Sequence, residues 1–299
     1  MTREVTEAHY LHERHGLEAV LRPPVDHPTA IVWIPGREEL LVATREGDLM
    51  SVDPVMGTRQ VMSELGEIAD LAVAPDRSRI VALNRSGQWF VATLGGEILH
   101  RGKHPFLAGM SAFFAGKYTI LTGDTSDGKR MMLVLEGDTT RSRVRLPERV
   151  VATLDAAGRP LLARSTPSGL VVIPFGRKAK FPSLPSTIHR LRPTGSHILG
   201  FTTSGVCVWD QSGGAPESTR MPDLTAGDLC RDGRYLGLGT RTGAVALSRM
   251  DKKNKRMRPD LVRAFNNPVT AVCFSSRGRW LATAAEAVRL WTWEEPDED

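Results

Sequence analysis

One short unit recurs along this chain of 299 residues: an apolar strand, a turn built from Pro, Asp or Gly, a second apolar strand, a glycine turn, and a third strand. Its clearest copies are residues 69–93 (ADLAVAPDRSRIVALNRSGQWFVAT), 188–210 (IHRLRPTGSHILGFTTSGVCVWD) and 269–293 (VTAVCFSSRGRWLATAAEAVRLWTW). Anchoring each copy on the first residue of its first turn gives Pro35, Pro75, Phe114, Ala156, Pro193, Arg231 and Ser276, at spacings of 40, 39, 42, 37, 38 and 45 residues. A unit this small cannot bury both faces of its sheet alone, and a period near 40 made of short strands is the pattern of radially packed four-stranded blades. The expected fold is all-β, a seven-bladed β-propeller with repeats starting near 29, 68, 110, 150, 187, 227 and 269.

Glycine recurs at the second turn, as Gly47, Gly87, Gly128, Gly169, Gly205 and Gly243, where a tight hairpin needs positive φ. The seventh copy has Ala285-Glu286-Ala287 there, which predicts a different turn. The two ends of the repeat region fit each other. After Trp293 only EEPDED follows, an acidic tail at 294–299 that is unsuited to a strand, so the last blade lacks its outer strand. The surplus apolar stretch LEAVL, within residues 17–22, is expected to supply it, close the ring and cover two sheet edges. That gives a propeller over 17–293, preceded by a flexible, charged segment at 1–16.

Hydrophobic content of 41% allows a sizeable core, and no apolar run is long enough to span a membrane as a helix. The first residues lack the apolar centre of a signal peptide. Cys207, Cys230 and Cys273 are odd in number and lie in expected strands, so they read as buried thiols of a reducing compartment, and the expected location is cytoplasmic. The net charge of +5 rests on 31 Arg and only 8 Lys. Such an excess suits recognition of phosphate or carboxylate. A GC-rich, bacterial coding sequence accounts for it equally well.

Trp209-Asp210 is an intact Trp-Asp dipeptide at the end of a third strand, with Trp293-Glu294, Val52-Asp53 and Met250-Asp251 as weakened copies. Pro75-Asp76 and Arg231-Asp232-Gly233 match the first-turn motif of the same family. In these features the chain resembles a divergent WD-repeat (WD40-like) propeller. The family's Gly-His dipeptide is essentially missing, so the buried hydrogen-bond relay that it anchors is expected to be absent from most blades. The resemblance implies a platform that carries no chemistry and holds partner proteins on the loops joining strands d to a and b to c. It also implies a subunit or adaptor of a multi-protein assembly, without a cofactor.

Two basic features could serve such a platform. Arg45, Arg85 and Arg241 open Arg-x-Gly turns, and Arg164 ends a second strand near the equivalent place. Ring symmetry would gather them on one face, where a basic rim could hold an acidic or phosphorylated partner element. Scattered arginines in exposed turns are the plainer explanation. The second feature is DKKNKRMRPDLVR at 251–263, which includes Lys252, Lys253, Lys255, Arg256 and Arg258 and lies in the longest repeat interval. As an extended loop between strands c and d of the sixth blade it is either a solvated edge or a contact for nucleic acid, the alternative function for the chain.

Other patterns carry less. GDTSDGKR at 123–130 imitates a phosphate-binding loop, but Arg130 stands where Ser or Thr is required and a strand follows instead of a helix. His9, His12 and His15 lack a metal-site framework. No nucleophile elbow or Cys-x-x-Cys occurs. Asp70, Asp155, His189 and Asp228, at or near first strands, are the candidates for a hydrolase or lactonase site at a central channel, the second alternative.

Overall fold

The computed structural model describes residues 17–146, 150–154, 160–166, 169–174, 179–180, 188–194, 197–202, 205–210, 217–221, 223–230, 232–250 and 260–293. These residues form seven four-stranded antiparallel sheets. In six of them the strands follow one another in sequence from the inner strand a to the outer strand d, as in Pro28–Trp33, Leu40–Thr44, Leu49–Asp53 and Gly57–Met62 of blade 1. Strand a begins at Pro28, Ile68, Phe106, Val150, Ile188, Leu224 and Ala271 in blades 1 to 7. Blade 7 is assembled from both ends of the repeat region. Leu17–Leu21 pairs with Val288–Trp293, Leu17 opposite Trp293 and Leu21 opposite Leu290, and supplies the fourth strand.

The sheets of blades 6, 7, 1 and 2 each pack between two others, and the burial along the strands reflects it. Strand b of blade 1 is buried at all five positions, whereas strand d of the same blade is buried at only one of six. Strands covered on both faces need continuous apolar runs, which is why strands a to c are legible in the sequence and strands d are not. Core clusters therefore straddle neighbouring blades. Ala30, Leu41 and Leu49 of blade 1 meet Ile68, Leu71 and Ile80 of blade 2, and Ile31, Trp33 and Val42 meet Cys273, Ala282 and Val288 of blade 7. Burying one such Leu or Ile contributes about 1.5–3 kcal/mol. Hydrogen bonds cross the same seams: Trp33 Nε1 donates to Cys273 O at 3.1 Å, and Gly36 N–H to Ser276 Oγ at 2.8 Å.

Several expectations shift by a few residues. Phe114 and Pro193 are not turn residues: they lie inside strands Phe106–Ala115 and Ile188–Thr194. Phe114 is buried, and an aromatic side chain contributes more there than in a solvated turn. Gly169 and Gly205 open strands, opposite Thr166 and Thr202, and so close their turns instead of occupying them. Cys230 follows its strand Leu224–Leu229 instead of lying in it. The glycine-free turn of blade 7 does differ. Ala285 N–H reaches Ala287 O across a tighter loop, and Ala287 bridges to Asp26. The segments 1–16 and 294–299 lie outside the described residues.

Candidate functional site

The turns between strands b and c are built to one plan in blades 1, 2 and 6. Strand b ends in a side chain with an oxygen acceptor, Thr44, Asn84 or Thr240, that folds over its own turn. Thr44 Oγ1 accepts from Asp48 N–H at 3.2 Å and Thr240 Oγ1 from Ala244 N–H at 3.0 Å, while Asn84 Oδ1 accepts from both Ser86 and Gln88 N–H. Three residues later comes glycine with positive φ, 93° at Gly47, 77° at Gly87 and 82° at Gly243. A Cβ at these positions would lie 2.6 Å from Gly66 N, 1.9 Å from His104 O and 2.2 Å from Phe265 O. The glycine thus lets each turn press against the connector to the next blade. Its carbonyl also accepts from that connector: Leu65, His104 and Phe265 N–H donate to Gly47, Gly87 and Gly243 O at 3.0, 2.8 and 3.0 Å.

This plan places three predicted arginines at equivalent points. Arg45, Arg85 and Arg241 N–H donate to His27, Glu67 and Asp223 O, the residues just before strand a of the same blade, at 2.9, 2.8 and 2.8 Å. All three side chains are exposed on the face shared by these turns and connectors. They are not equally free. Arg85 Nε pairs with Glu67 Oε1 at 2.6 Å, whereas Arg45 and Arg241 have no ion-pair partner among the described residues. Blade 3 carries Ser126 there, followed by Asp127, whose carboxyl is held down at about 2 by the Lys129 ammonium and the Thr125 hydroxyl. Arg164 sits in strand b of blade 4, Pro160–Thr166, two residues before its end, opposite Val150 and Val171. The rim is therefore a sector rather than a ring. Its two unpaired cations flank blade 7, because blade 7 packs between blades 6 and 1.

Glu286 organises the middle of that sector; the missing glycine marked its turn, but not the work of its side chain. Its backbone carbonyl accepts from His27 N–H at 3.1 Å, doing for the connector into blade 1 what the glycine carbonyl does elsewhere. Its carboxylate accepts from Asn266 and Asn267 N–H at 3.1 and 3.3 Å, on the connector into blade 7. The basic residues Lys252, Lys253, Lys255, Arg256 and Arg258 lie outside the described residues. The flanking strands Ala244–Arg249 and Asp260–Arg263 pair with each other, which makes 251–259 part of the connection from c to d in blade 6.

The channel carboxylates do other work. Asp70 Oδ2 accepts from Ala112 N–H and Asp228 Oδ2 from Phe274 N–H, both at 2.8 Å, so each ties strand a of its blade to strand a of the next. Asp155 lies outside the described residues, and His189 is described only as backbone in strand a of blade 5. No cluster of three potential metal ligands occurs among the described residues. Burial pushes the Cys207 thiol up to about 11. Burial, with Asp232 beside it, pushes Cys230 up to about 12, so neither is a thiolate nucleophile at neutral pH.

Ladder register identifies the Trp-Asp position independently of the dipeptide. Across the sheets, Trp33–Leu40–Val52, Pro193–Ile198–Trp209, Leu229–Leu236–Ser248 and Phe274–Leu281–Trp291 are equivalent rows. Trp291-Thr292 and Ser248-Arg249 therefore match Trp209-Asp210; Trp293-Glu294 and Met250-Asp251 fall two residues too late. One buried bond of a polar relay is present: Trp291 Nε1 donates to Thr283 Oγ1 at 3.0 Å.

Sheets of this kind, packed face to face in sequence order and completed by a strand from the other end of the repeats, define a β-propeller. The fold of the chain is WD40-like. It superposes on the β-propeller domain of Cps50 (Swd1) from Myceliophteria thermophila with a TM-score of 0.73 at 14% identity, over 93% of this chain and 100% of that one. The WD40 β-propeller domain of Doa1 matches with a TM-score of 0.73 at 11% identity, over 94% and 98%. In sequence, 112 residues are 32% identical to Pre-mRNA-processing factor 19 homolog 2 of Arabidopsis thaliana, covering 35% of this chain. The match spans only 20% of the length of that relative. No family model matches the chain.

Proposed function

We propose that this chain is a non-catalytic protein-interaction scaffold that holds an acidic or phosphorylated element of a partner on the loop face of blades 6, 7 and 1. The observation that carries this reading is the pair Arg45 and Arg241. Both are fixed by the same backbone bond, both are exposed, and neither is neutralised by a described neighbour. Two guanidinium groups carried on turns with fixed backbones can bind carboxylate or phosphate oxygens in bidentate fashion. Arg85 contributes less, because a partner must compete with Glu67 for it. The scaffold acts as a subunit of a multi-protein assembly in the bacterial cytoplasm; the buried, unreactive thiols and the excess of Arg over Lys support this setting.

The test is capture of partners from the native host with the wild-type chain and with R45E/R241E and R85E variants. The double variant is expected to lose its stoichiometric partner while keeping its fold, and R85E to lose a smaller share. Equal capture by the double variant overturns the rim as the binding site. Capture that disappears on nuclease treatment overturns the protein-scaffold reading.

A further inference from the structure

Away from blades 6, 7 and 1, the outer strand of blade 3 differs in length from every other outer strand described. Thr139–Leu146 (TTRSRVRL) has eight residues, against six in blades 1 and 2, five in blade 7, four in blades 5 and 6, and two in blade 4. Seven of the eight are exposed. It is the last strand of its sheet, so one side of its backbone has no strand partner among the described residues. Arg143 and Arg145 alternate along it and share one face, while the register shifts at Arg141, which lies between Ser142 opposite Val134 and Thr140 opposite Leu135.

That face looks toward blade 2. Arg143 and Arg145 stand opposite Leu133 and Met131, which pack with Trp89 and Val91 of blade 2. His104, on the connector from blade 2, is pushed below the ordinary imidazole value by burial and by the nearby Arg143 charge. Arg141 is held by Glu136 at 2.8 Å, a carboxylate that Lys117 also contacts at 2.7 Å. Arg143 and Arg145 have no ion-pair partner among the described residues.

We propose that this strand is a second docking site, at which an acidic polypeptide segment adds as a fifth strand to blade 3. The carboxylates of that segment, at alternate positions, lie against Arg143 and Arg145. Two features together select this occupant. An open strand edge offers alternating N–H and C=O groups that only another extended backbone complements, so strand addition supplies affinity through the main chain. Side chains on one face of any strand repeat every two residues, about 6.8 Å, so Glu or Asp at alternate positions matches the arginine spacing without adjustment. Charged edge strands are also a guard against aggregation. That guard acts by repelling identical edges, and it leaves this edge attractive to a strand of opposite charge.

The experiment uses a fluorescent peptide with Glu at alternate positions separated by Thr and Val, titrated with the full chain at low ionic strength and read by anisotropy. R143E/R145E should weaken binding by at least about tenfold, about 1.4 kcal/mol. R143Q/R145Q should weaken it less, and the full effect of R143E/R145E should persist in an R45E/R241E background, where the loop face no longer holds acidic peptide, which separates this site from the loop face. Two further peptides, N-methylated on odd or on even residues, test the backbone: one should lose binding and the other keep it. Absence of binding, indifference to R143E/R145E, or full binding by both methylated peptides overturns the proposal. Arginine-dependent binding of a single-stranded oligonucleotide without any peptide binding also overturns it, in favour of nucleic acid.

Discussion

Blades 5 and 7 carry tryptophan at the same place in the ladder, and they solve the same problem differently. Trp209 and Trp291 are both buried, at 0% and 1% exposure. Trp291 Nε1 donates to Thr283, but Trp209 Nε1 is buried without a hydrogen-bond partner among the described residues. The cause lies two residues along strand b. Thr283 pairs with Arg289 and is the diagonal neighbour of Trp291; the matching residue in blade 5, opposite Cys207, is Gly200, which has no hydroxyl to offer. The blade with the intact Trp-Asp dipeptide is thus the one whose indole N–H is orphaned. The dipeptide marks a position in the sheet; whether that position is well bonded depends on a residue that the motif does not include.

The largest expected effect comes from exchanging both indoles for phenyl rings. Trp291→Phe removes volume and also strands the Thr283 hydroxyl, and should cost about 2–4 kcal/mol. Trp209→Phe removes similar volume but deletes an unsatisfied donor, so its cost should stay below about 1.5 kcal/mol. Denaturant unfolding of the two variants measures the difference directly, and equal losses would break the comparison. Next in size is Thr283→Val, which leaves Trp291 in the condition of Trp209 and should cost about 1–3 kcal/mol. Combining it with Trp291→Phe should cost less than the sum of the two, because the hydrogen bond can be lost only once.

A smaller effect tests the other peculiarity of blade 7. Glu286→Ala keeps the carbonyl bond to His27 but removes the two carboxylate bonds to Asn266 and Asn267. These bonds are partly solvated, so the expected loss is about 1 kcal/mol. Faster amide exchange at residues 266 and 267, with blade 5 amides unchanged, would locate it.

What could be read from the sequence were the features that repeat as backbone chemistry. The period, the glycines of the b–c turns and the pairing of Leu17–Leu21 with the last blade all follow from turns needing positive φ and edges needing partners. The tryptophan register was not legible, because Trp291 and Trp293 lie two residues apart and period-two patterning puts both on one face. Nor was the unequal state of the rim arginines: Arg85 is neutralised by a residue 18 positions earlier, on a connector with no pattern of its own. Thr139–Leu146 escaped notice for the same reason, since a strand exposed at all but its last residue shows no apolar alternation.

The mildest test of the two blades leaves both tryptophans in place. Cys207 sits opposite Gly200 in blade 5, and Cys273 lies in strand a of blade 7; both are buried and free. The Cys207 thiol is pushed up to about 11 by burial, so in the closed blade it is neither ionised nor accessible at neutral pH. Alkylation must wait for local opening, and its rate then reports the stability of that blade alone. In chains with one cysteine each, Cys207 should react faster than Cys273 if the orphaned indole loosens blade 5, and Thr283→Val should narrow the gap. The pH dependence has a fixed sign. An unfolded thiol ionises near 8.5, while the folded one keeps its proton to about 11, so the native state binds more protons in that window and loses stability as pH rises through it. Labelling of Cys207 should accelerate across that interval by more than thiolate formation in the opened chain accounts for. A rate that followed thiolate formation alone would mean that the thiol is already in contact with water, and that blade 5 is looser than its ladder implies.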